Sequence, residues 1–453
     1  MTSRSGDPVS SRRSPVASGG PIADTADVRL ACERIRAAGP GLVARPWAEI
    51  AGVLGRVGAR FRSDSDPLRT EALERLPEDA GLSVAMAREV LDGMSRDWTV
   101  DRLSRTVEAD FEEPACLDGM STVRGRHVMA IGPALCLQIV SGSVPGVGVN
   151  ALLRSLLVKS PTLVKPGRGD IVLTELFARG LREADPQMAE ALAVRYWPGG
   201  VEAQQRAALA AADVAVVYGS DETVADVRAT APATTRVVAY HHRIGVALIG
   251  REVLAPSQID AVATDTARAV ALFEQRGCVC PHVVYVESGG QLAGADFADC
   301  LASAFGALEE ALPSVTLDAA EGAALQQLRG TAELHAATGA GFIRHGGGTA
   351  PWTVIYEEQA DHAGPVTLAR GVRVQEVDDA SALAARLSPL GAHLQSVAYA
   401  GLEGRVPEVA ESLGRAGASR VVPIDRVSFP PPWWLHDGRG PLRDLVRWVE
   451  VER

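Results

Sequence analysis

The stretch Phe273-Glu-Gln-Arg-Gly-Cys-Val-Cys-Pro-His282 is the most informative part of the chain. A helical pattern over residues 261–273 runs into it, and a strand-like run over residues 282–286 follows it. These patterns predict that Cys278 lies on a tight turn, where its backbone N–H is free to point at a bound carbonyl oxygen, as covalent acyl transfer requires. Cysteine is also a common small core residue, so position alone leaves a reactive and a structural role open.

Short apolar runs and helical patterns alternate through most of the chain. Strand-like runs occur at residues 134–140, 162–164, 191–196, 214–217, 237–240 and 246–249. Helical patterns include residues 170–183, 201–211 and 295–311. This alternation predicts an α/β fold with a doubly wound, mainly parallel sheet. Residues 26–110 predict mostly helices, and a short helix is expected after the Pro/Trp-rich stretch at 429–438.

The composition is that of a large globular protein. Its 453 residues carry a net charge of −11, which argues against nucleic acid or an anionic membrane surface as the main partner. No apolar run approaches the ~20 residues of a membrane span. The six cysteines are sparse and irregularly spaced, as in a reduced cytoplasmic protein. The Cys-x-Cys pair has no second pair to complete a zinc site, so no metal site is predicted.

Two polar turns follow predicted strands, Ser141-Gly-Ser-Val-Pro-Gly146 and Gly219-Ser-Asp-Glu-Thr223. Such turns can hold a ligand against the backbone or at a helix N-terminus. Neither is a G-x-G-x-x-G or P-loop sequence, so a structural turn and a plain helix N-cap remain alternatives. Between them lie Lys159 and Lys165, the only two lysines among 45 basic residues. Their retention in one segment suggests that an ammonium group is needed there, with chance as the alternative.

Taken in order, these motifs resemble the aldehyde dehydrogenase superfamily and, within it, the LuxC family of fatty acyl-CoA reductases. The resemblance covers roughly residues 125–453. It is carried by Gly-x-Val-Pro-Gly at 142–146, Leu-Leu-Val-Lys-Ser-x-x-Leu-Val-Lys-Pro at 156–166, Tyr-Gly-Ser-Asp-Glu-Thr at 218–223, Phe-x-Gln-Arg-Gly-Cys-x-x-Pro-His at 273–282, and Gly-Ala-Ser-Arg-Val-Val-Pro-Ile at 417–424 with His-Asp-Gly at 436–438.

The resemblance implies that Cys278 is the nucleophile, because the Gly-Cys-x-x-Pro-His pattern of the family ends at His282. The register Phe-x-x-x-Gly-x-x-Cys of the wider superfamily would select Cys280 instead, and we favour the first register. A helix N-terminus or a nearby cation would lower the pKa of the thiol. Ser143 stands where the superfamily has an Asn that donates to the oxyanion. A hydroxyl still donates, with shorter reach, and loss of one such donor costs about 10²–10³ in rate.

The resemblance also implies a nicotinamide cofactor. Lys165 matches the lysine that reaches the adenosine ribose or its phosphate. Arg168 falls where NAD-preferring relatives carry a carboxylate, and a cation there favours the extra phosphate of NADPH. Gly219 and Ser220 are implied to lie at the cofactor pyrophosphate.

Oxidising relatives keep a Glu after the strand at 237–240, where it activates the deacylating water. This chain has Tyr240-His-His-Arg243 there, and no carboxylate between Asp226 and Glu252. The resemblance therefore implies NADPH-dependent reduction of a fatty acyl thioester, on CoA or an acyl carrier protein, to an aldehyde. One alternative is an oxidising NAD(P)-dependent aldehyde dehydrogenase. Another is a non-catalytic or acyl-carrying partner subunit, and this one stays open because Ser143 replaces the oxyanion-binding Asn.

The same reasoning divides the chain into segments. Residues 1–25, rich in Ser, Gly, Pro and Arg, predict a disordered tail. Residues 26–250 are expected to form the helical N-terminal region and a Rossmann-type cofactor-binding domain, and residues 251–400 an α/β catalytic domain with the nucleophilic cysteine. Residues 401–453 are expected to return to the core and the oligomerisation region of a homo-oligomer. We interpret His436-Asp-Gly438 as a turn lock rather than a catalytic group.

Overall fold

A computed structural model describes residues 22–339, 341–347, 350–358 and 369–452. Most of the predicted tail, residues 1–21 of 1–25, lies outside the described residues. The α-helices are α1 (Thr25–Val43), α2 (Trp47–Arg60), α3 (Pro67–Ala80), α4 (Val84–Ser95), α5 (Val100–Asp110), α6 (Val147–Leu157), α7 (Ile171–Ala184), α8 (Pro186–Ala189), α9 (Glu202–Ala211), α10 (Asp221–Thr230), α11 (Ile259–Ala271), α12 (Gly294–Ala311), α13 (Ala319–Ala336), α14 (Leu383–Leu387) and α15 (Val406–Arg415). None of the described helices has both the length and the apolar content needed to cross a membrane.

The strands form three sheets. They are β1 (Ser121–Val123), β2 (Arg126–Ile131), β3 (Cys136–Ile139), β4 (Thr162–Lys165), β5 (Leu192–Val194), β6 (Val214–Tyr218), β7 (Arg236–Tyr240), β8 (Ile244–Ile249), β9 (Pro281–Glu287), β10 (Gly341–His345), β11 (Thr353–Glu357), β12 (Gly371–Val377), β13 (Leu394–Ala400), β14 (Arg420–Pro423) and β15 (Arg447–Val451).

Helices α1–α5 precede the first strand, as predicted. Helix α1 begins with a capping box, in which the Asp24 side chain accepts from the backbone N–H of Asp27 and the Asp27 side chain accepts from that of Asp24. An aromatic cluster joins this helical region to α7, because Trp98 packs edge-on against Phe61 and Phe177 with ring centroids 5.4 and 5.8 Å away. All three rings are buried, and truncating one such ring to Ala costs about 3–5 kcal/mol.

The first sheet has five parallel strands in the order β5-β4-β3-β6-β7. Its central strands are almost entirely buried, which explains why they appear in the sequence as short apolar runs without alternation. The strand predictions between residues 134 and 240 are confirmed, and with them the doubly wound sheet. The order of the strands reverses between β3 and β6, and open α/β sheets bind ligands at the carboxyl ends of strands beside such a point.

The second sheet has seven strands in the order β10-β11-β12-β9-β8-β13-β14, and only the β10–β11 pair is antiparallel. Strand β9, which follows the cysteine turn, is central and buried at every residue. Strand β8 pairs with β9 and β13 in this sheet, although it precedes the predicted boundary at residue 250. The domain boundaries themselves stay a prediction.

The third sheet shows that the prediction of a short C-terminal helix was wrong. Residues Arg447–Val451 form strand β15, which pairs antiparallel with β2, and only a single 3-10 turn, Arg443–Leu445, precedes it. The run Arg-Trp-Val-Glu-Val does not alternate, but it contains Trp and Val, which favour strands, and the open edge of β2 supplies its hydrogen-bond partners.

Candidate active site

The turn that carries Cys278 has an unusual backbone. After α11, Phe273, Glu274 and Gln275 adopt φ values of 58°, 52° and 60°. The left-handed region is unfavourable for residues other than glycine and persists only where the surroundings impose it. Three such residues in succession lead directly into the cysteine, so the surrounding structure fixes the position of the thiol.

Two buried side chains hold this turn in place. The Glu274 carboxylate forms a bidentate pair with Arg370, with N–O distances of 2.7 and 2.9 Å, and the Arg370 side chain is fully buried. The Gln275 amide donates to the carbonyl oxygens of Pro281 and Gly371 and accepts from the N–H of Gly371. The turn is therefore attached to both β9 and β12.

The two neighbouring thiols have different environments. Cys278 is partly exposed, and within the described residues its backbone N–H donates to no carbonyl oxygen. Cys280 is completely buried, and its thiol donates to the carbonyl oxygen of Leu272 at 3.4 Å. Cys278 is thus the more exposed residue of the two, and its backbone N–H lies close enough to its own sulfur to lower the pKa of the thiol slightly.

The expectation of a lowered thiol pKa is wrong for this state of the protein. Burial raises the pKa of Cys278 to about 12, and the nearby Asp437 carboxylate raises it further. Arg243 and Arg420 act in the opposite direction but do not outweigh burial. The helix next to the cysteine is α11, which ends before the turn and therefore does not direct an N-terminus at the sulfur.

The turn after β3 approaches the cysteine turn. A Cβ atom added at Gly277 would lie 3.7 Å from Cγ2 of Val144. Val144, which follows Ser143, therefore lies against Gly277, which precedes Cys278. Ser143 is exposed and makes no hydrogen bond to a described residue. Its hydroxyl is thus free to donate.

Asp170 is a residue that the sequence did not single out. Its buried carboxylate accepts from the N–H groups of Gly146 and Gly148, 2.6 and 2.5 Å away, at the start of α6. Burial raises the pKa of Asp170 to about 8. The N-terminus of α6 is therefore occupied by a side chain, and the glycine-rich turn has a structural role there.

The predicted cofactor cations lie at the end of β4. Lys165 is partly buried and Arg168 is exposed, and neither has an ion-pair partner in the part of the chain that the structure describes. Burial lowers the pKa of Lys165 to about 8. Gly142 has no room for a side chain, because a Cβ atom would lie 1.5 Å from the carbonyl oxygen of Arg168. The loops after β3 and β4 are thus packed backbone to backbone.

The second lysine is not part of this group. Lys159 is buried and pairs with Asp118 at 2.6 Å, far along the chain, and its backbone is left-handed with φ 59°. The two lysines of this segment therefore have different roles. The Lys159 ammonium group is structural, whereas Lys165 has no ion-pair partner among the described residues.

Gly219 and Ser220 lie at the end of β6, next to the switch in strand order. The Ser220 hydroxyl accepts from the N–H of Thr223 at 3.3 Å, so it caps α10. A side chain at Gly219 would begin 3.0 Å from Thr223. The N-cap interpretation is confirmed.

The His-Asp-Gly motif brings a carboxylate to the cysteine from the far end of the chain. Asp437 is left-handed, with φ 53°, and its side chain faces the Arg243 side chain at 3.2 Å. Among the described residues, neither oxygen of Asp437 has a partner in hydrogen-bond geometry, and the same holds for the Ser396 hydroxyl and the buried Gln395 amide, which lies close enough to lower the pKa of Asp437. The motif is a turn, as predicted, but it also contributes a buried charge that acts on Cys278.

Aromatic rings join this motif to the first sheet. Trp434, His436, Tyr240 and Tyr218 form a continuous stack with successive centroid distances of 4.5, 4.4 and 4.7 Å. Burial lowers the pKa of His436 well below its usual value, so the ring is neutral. The stack spans the ends of β6 and β7, opposite the cysteine turn in the second sheet.

A cavity of about 610 Å³ opens beside the cysteine turn. Its lining combines apolar side chains with charged ones, among them Leu272, Phe429, Trp434, Arg96 and Arg420. Arg420 is close enough to Cys278 for the two to influence each other's pKa. Cys278 itself is not among the lining residues, so the cavity lies next to the cysteine turn rather than over the sulfur.

The five-stranded parallel sheet and the mainly parallel seven-stranded sheet, with the cysteine turn leading into β9, have the aldehyde dehydrogenase fold. The chain is similar to a NAD-dependent benzaldehyde dehydrogenase of Corynebacterium glutamicum, with a TM-score of 0.71, 17% identity, and coverage of 97% of this chain and 93% of that one. It is also similar to an aldehyde dehydrogenase of Pseudomonas syringae solved with NAD+ and octanal, with a TM-score of 0.71, 15% identity, and coverage of 95% and 89%.

Within this fold, the profile of the family "Acyl-CoA reductase (LuxC)" matches residues 44–448, and the chain belongs to that family. Among its relatives are "Long-chain acyl-protein thioester reductase 2" of Photobacterium leiognathi, 22% identical over 410 residues, and "Long-chain acyl-protein thioester reductase" of Aliivibrio fischeri, 23% identical over 414 residues. Each alignment covers 89% of this chain and 82% of the relative. The protein is accordingly an oxidoreductase of the acyl-thioester reductase class.

Proposed function

We propose that the protein reduces a fatty acyl thioester to an aldehyde with NADPH, through an acyl group held on Cys278. The observation that carries this proposal is the contrast between the two thiols. Cys278 is partly exposed, is placed by an over-determined turn and has a backbone N–H that donates to no carbonyl oxygen of the described residues, whereas Cys280 is buried and its thiol is engaged.

The proposed chemistry needs only a few groups of the chain. Cys278 loses its proton, its sulfur attacks the thioester carbonyl, and the carbon–sulfur bond to the leaving thiol breaks as that thiol takes up a proton. The Cys278 N–H and the Ser143 hydroxyl hold the oxyanion. NADPH, when bound, supplies a hydride to the acyl carbon. The bond to Cys278 then breaks, aldehyde leaves, and the thiolate recovers a proton from water.

The surroundings of the turn favour reduction over hydrolysis. The segment after β7 places Arg243 near Cys278, where a water-activating carboxylate would be needed for hydrolysis. Asp437 does bring a carboxylate from elsewhere in the chain, but its charge is opposed by Arg243 at 3.2 Å. Burial raises the pKa of Asp437 although Arg243 opposes this, so the preference for reduction rests on the segment after β7, which carries no carboxylate between Asp226 and Glu252.

The residues around the first sheet fit a phosphorylated dinucleotide. Lys165 ends β4 and Arg168 lies in the loop that follows it, and neither has a carboxylate partner among the described residues. Gly219 and Ser220 follow β6, on the other side of the point where the strand order reverses. Two unpaired cations suit the extra phosphate of NADPH. We propose that Lys165 and Arg168 bind this phosphate and the adenosine ribose.

The acyl donor is proposed by analogy with the relatives and from the cavity. Two relatives are named for long-chain acyl-protein thioesters, and the cavity beside Cys278 offers Leu272, Phe429 and Trp434 to an acyl chain. Acyl-CoA and an acyl carrier protein both present the same thioester. Comparing the rates of aldehyde formation from the two donors distinguishes them.

Intact-mass measurement after mixing the protein with palmitoyl-CoA tests the whole proposal. We expect one acyl adduct, which disappears with release of aldehyde when NADPH is added. Cys278→Ala should abolish the adduct, and Cys280→Ser should retain it. If Cys278→Ala still forms the adduct and Cys280→Ser does not, Cys280 is the nucleophile.

The intact-mass measurement and a rate comparison separate the alternatives. An adduct that NADPH does not discharge would indicate an acyl-carrying partner subunit. Faster formation of NADPH from aldehyde and NADP than of aldehyde from thioester would indicate an oxidising enzyme, and adding CoA would show whether the product is acid or acyl-CoA.

We also propose a homo-oligomer. Strand β15 lies at an edge of the third sheet, where Trp448 and Val451 are 39% and 47% exposed. An open strand edge with exposed apolar side chains is suited to pairing with a second copy. Light scattering should give a mass of at least two chains, and a Val451→Lys variant should shift it toward one.

A further inference from the structure

Three side chains typical of metal sites lie together outside the cysteine site. Asp221 opens α10 after β6, His241 follows β7, and His393 precedes β13. One carboxylate oxygen and two imidazole nitrogens, one from each residue, all lie within 4.8 Å of one another. No sequence motif reveals the group, because its members come from three separate segments in two different sheets.

The distances within the group are somewhat longer than those of an occupied site. Nδ1 of His241 lies 3.7 Å from Oδ1 of Asp221, and Nε2 of His393 lies 4.0 Å from Oδ2. Nδ1 of His241 also contacts the carbonyl oxygen of His242 at 3.1 Å, so this ring must turn away from that oxygen to bind an ion through Nδ1. Ligand atoms around a tetrahedral zinc ion, with bonds of about 2.0–2.2 Å, are about 3.4 Å apart. For a single ligating oxygen of Asp221, the separations of up to 4.8 Å need to shorten by up to about 1.4 Å, which side-chain rotations can supply.

The orientation of His393 supports metal binding. Its Nδ1 atom contacts the carbonyl oxygen of His242 at 3.1 Å. When Nδ1 donates this hydrogen bond, Nε2 carries the lone pair on the side of Asp221. Metal-binding histidines are commonly held through their other nitrogen in this way.

The group is accessible and anchored at the same time. The side chains of Asp221 and His393 are 59% and 49% exposed, and that of His241 is 25% exposed. Each residue nevertheless stands at the end of a helix or strand, so its backbone position is fixed. Solvent can deliver an ion, and small side-chain rotations can close the site.

We propose that Asp221, His241 and His393 bind one zinc ion or a similar transition-metal ion. Two imidazoles and one carboxylate suit Zn²⁺, whereas Mg²⁺ and Ca²⁺ prefer oxygen ligands in larger number. Three protein ligands leave one coordination position open. The ion joins the ends of β6 and β7 in the first sheet to β13 in the second, and it neutralises the first turn of α10 beside Ser220.

This inference does not depend on the proposed reductase activity, and its test measures metal binding directly. The full-length protein is titrated with Co²⁺, whose visible absorption reports tetrahedral coordination, and with Zn²⁺ by calorimetry. We expect each ion to bind at a single site, and we expect Zn²⁺ to displace Co²⁺ from it. Zn²⁺ should also raise the thermal midpoint of unfolding, because a ligand of the native state stabilises it.

Variants identify the ligands. Asp221→Asn, His241→Ala and His393→Ala should each weaken Zn²⁺ binding by at least about tenfold, the lower range found when even supporting residues of metal sites are removed. His335→Ala, an exposed histidine on α13, is the matched control, and Cys278→Ala tests for binding through the thiol; both should bind as the parent protein does.

Because the three residues are at least partly exposed, their variants should fold, and metal-free unfolding curves check this. The proposal is overturned if no Zn²⁺ binds at millimolar concentration. It is also overturned if all three variants bind as tightly as the parent protein, or if binding is lost only in Cys278→Ala.

Discussion

The Asp437 carboxylate and the Arg243 guanidinium form a buried ion pair beside Cys278, with Oδ1 3.2 Å from Nε. Only 2% of the Asp437 side chain and 13% of the Arg243 side chain are exposed. The two charges have opposite effects on the thiol, because Asp437 raises the pKa of Cys278 and Arg243 lowers it. Residues from distant parts of the chain thus jointly set the reactivity of the sulfur.

Removing the carboxylate should make the thiol more acidic. Asp437→Asn eliminates a negative charge near Cys278 and leaves Arg243 unopposed, so the pKa of the thiol should fall. The rate at which iodoacetamide modifies the Cys278 peptide, followed from neutral to alkaline pH, measures this pKa. Asp425→Asn, which changes an exposed carboxylate of the same C-terminal region, should leave the profile in place. An unchanged or higher midpoint in Asp437→Asn would contradict the prediction.

Cofactor affinity should depend on pH through Lys165. Burial lowers the pKa of this residue from 10.5 to about 8, so its ammonium charge is lost as the pH rises through that value. A bound phosphate opposes this loss, so NADPH affinity should begin to fall at or above about pH 8. Fluorescence titrations of NADPH across this range measure the effect. Lys165→Met should bind more weakly and with little pH dependence, and an equal decline in that variant would exclude Lys165 as the cause.

Cofactor choice should depend on Arg168. Hydrogen bonds to charged groups contribute about 1.5–3 kcal/mol, so Arg168→Glu should lower the preference for NADPH over NADH by about 10- to 100-fold. The ratio of kcat/KM for the two cofactors gives this number. Arg182→Glu makes the same charge change at an exposed position on α7 and should leave the ratio as it is. A similar loss in both variants would mean that only net charge matters.

The cysteine turn should depend on Arg370 for its stability. Arg370→Met leaves the Glu274 carboxylate buried without its partner, which costs about 3–5 kcal/mol in comparable cases. Urea unfolding at constant m-value measures the change. Adding Glu274→Gln should recover part of the loss, because the unpaired charge is removed. Arg415→Ala, which breaks an exposed pair with Glu411 on α15, should change stability by no more than about 0.5 kcal/mol.

Much of the fold could be predicted because it depends on local pattern. Buried parallel strands appear as short apolar runs, and glycine-rich turns mark where they end, so the first sheet was predicted strand by strand. The C-terminal strand was missed, because a five-residue run between polar segments becomes a strand only when β2 offers an edge. Local pattern does not encode that partner.

The site was predicted less completely than the fold. Cys278 and Ser143 belong to turns that the structure places side by side, and Lys165 and Arg168 lie without partners among the described residues at the end of β4. By contrast, the pairing of Arg370 with Glu274 spans 96 positions, and no spacing rule reveals it. Buried charges acquire their roles from tertiary contacts, which a single sequence does not display.

The turn that carries Cys278 is completed by residues that the ribosome adds much later. Glu274 needs Arg370 and Gln275 needs Gly371, each 96 positions downstream. Before those residues emerge, only the bond from Gln275 to the Pro281 carbonyl oxygen remains of these contacts, while the left-handed backbone costs on the order of 1–3 kcal/mol for each such residue. We therefore expect the turn, and with it the proposed acyl acceptor, to reach its final geometry only when β12 joins β9.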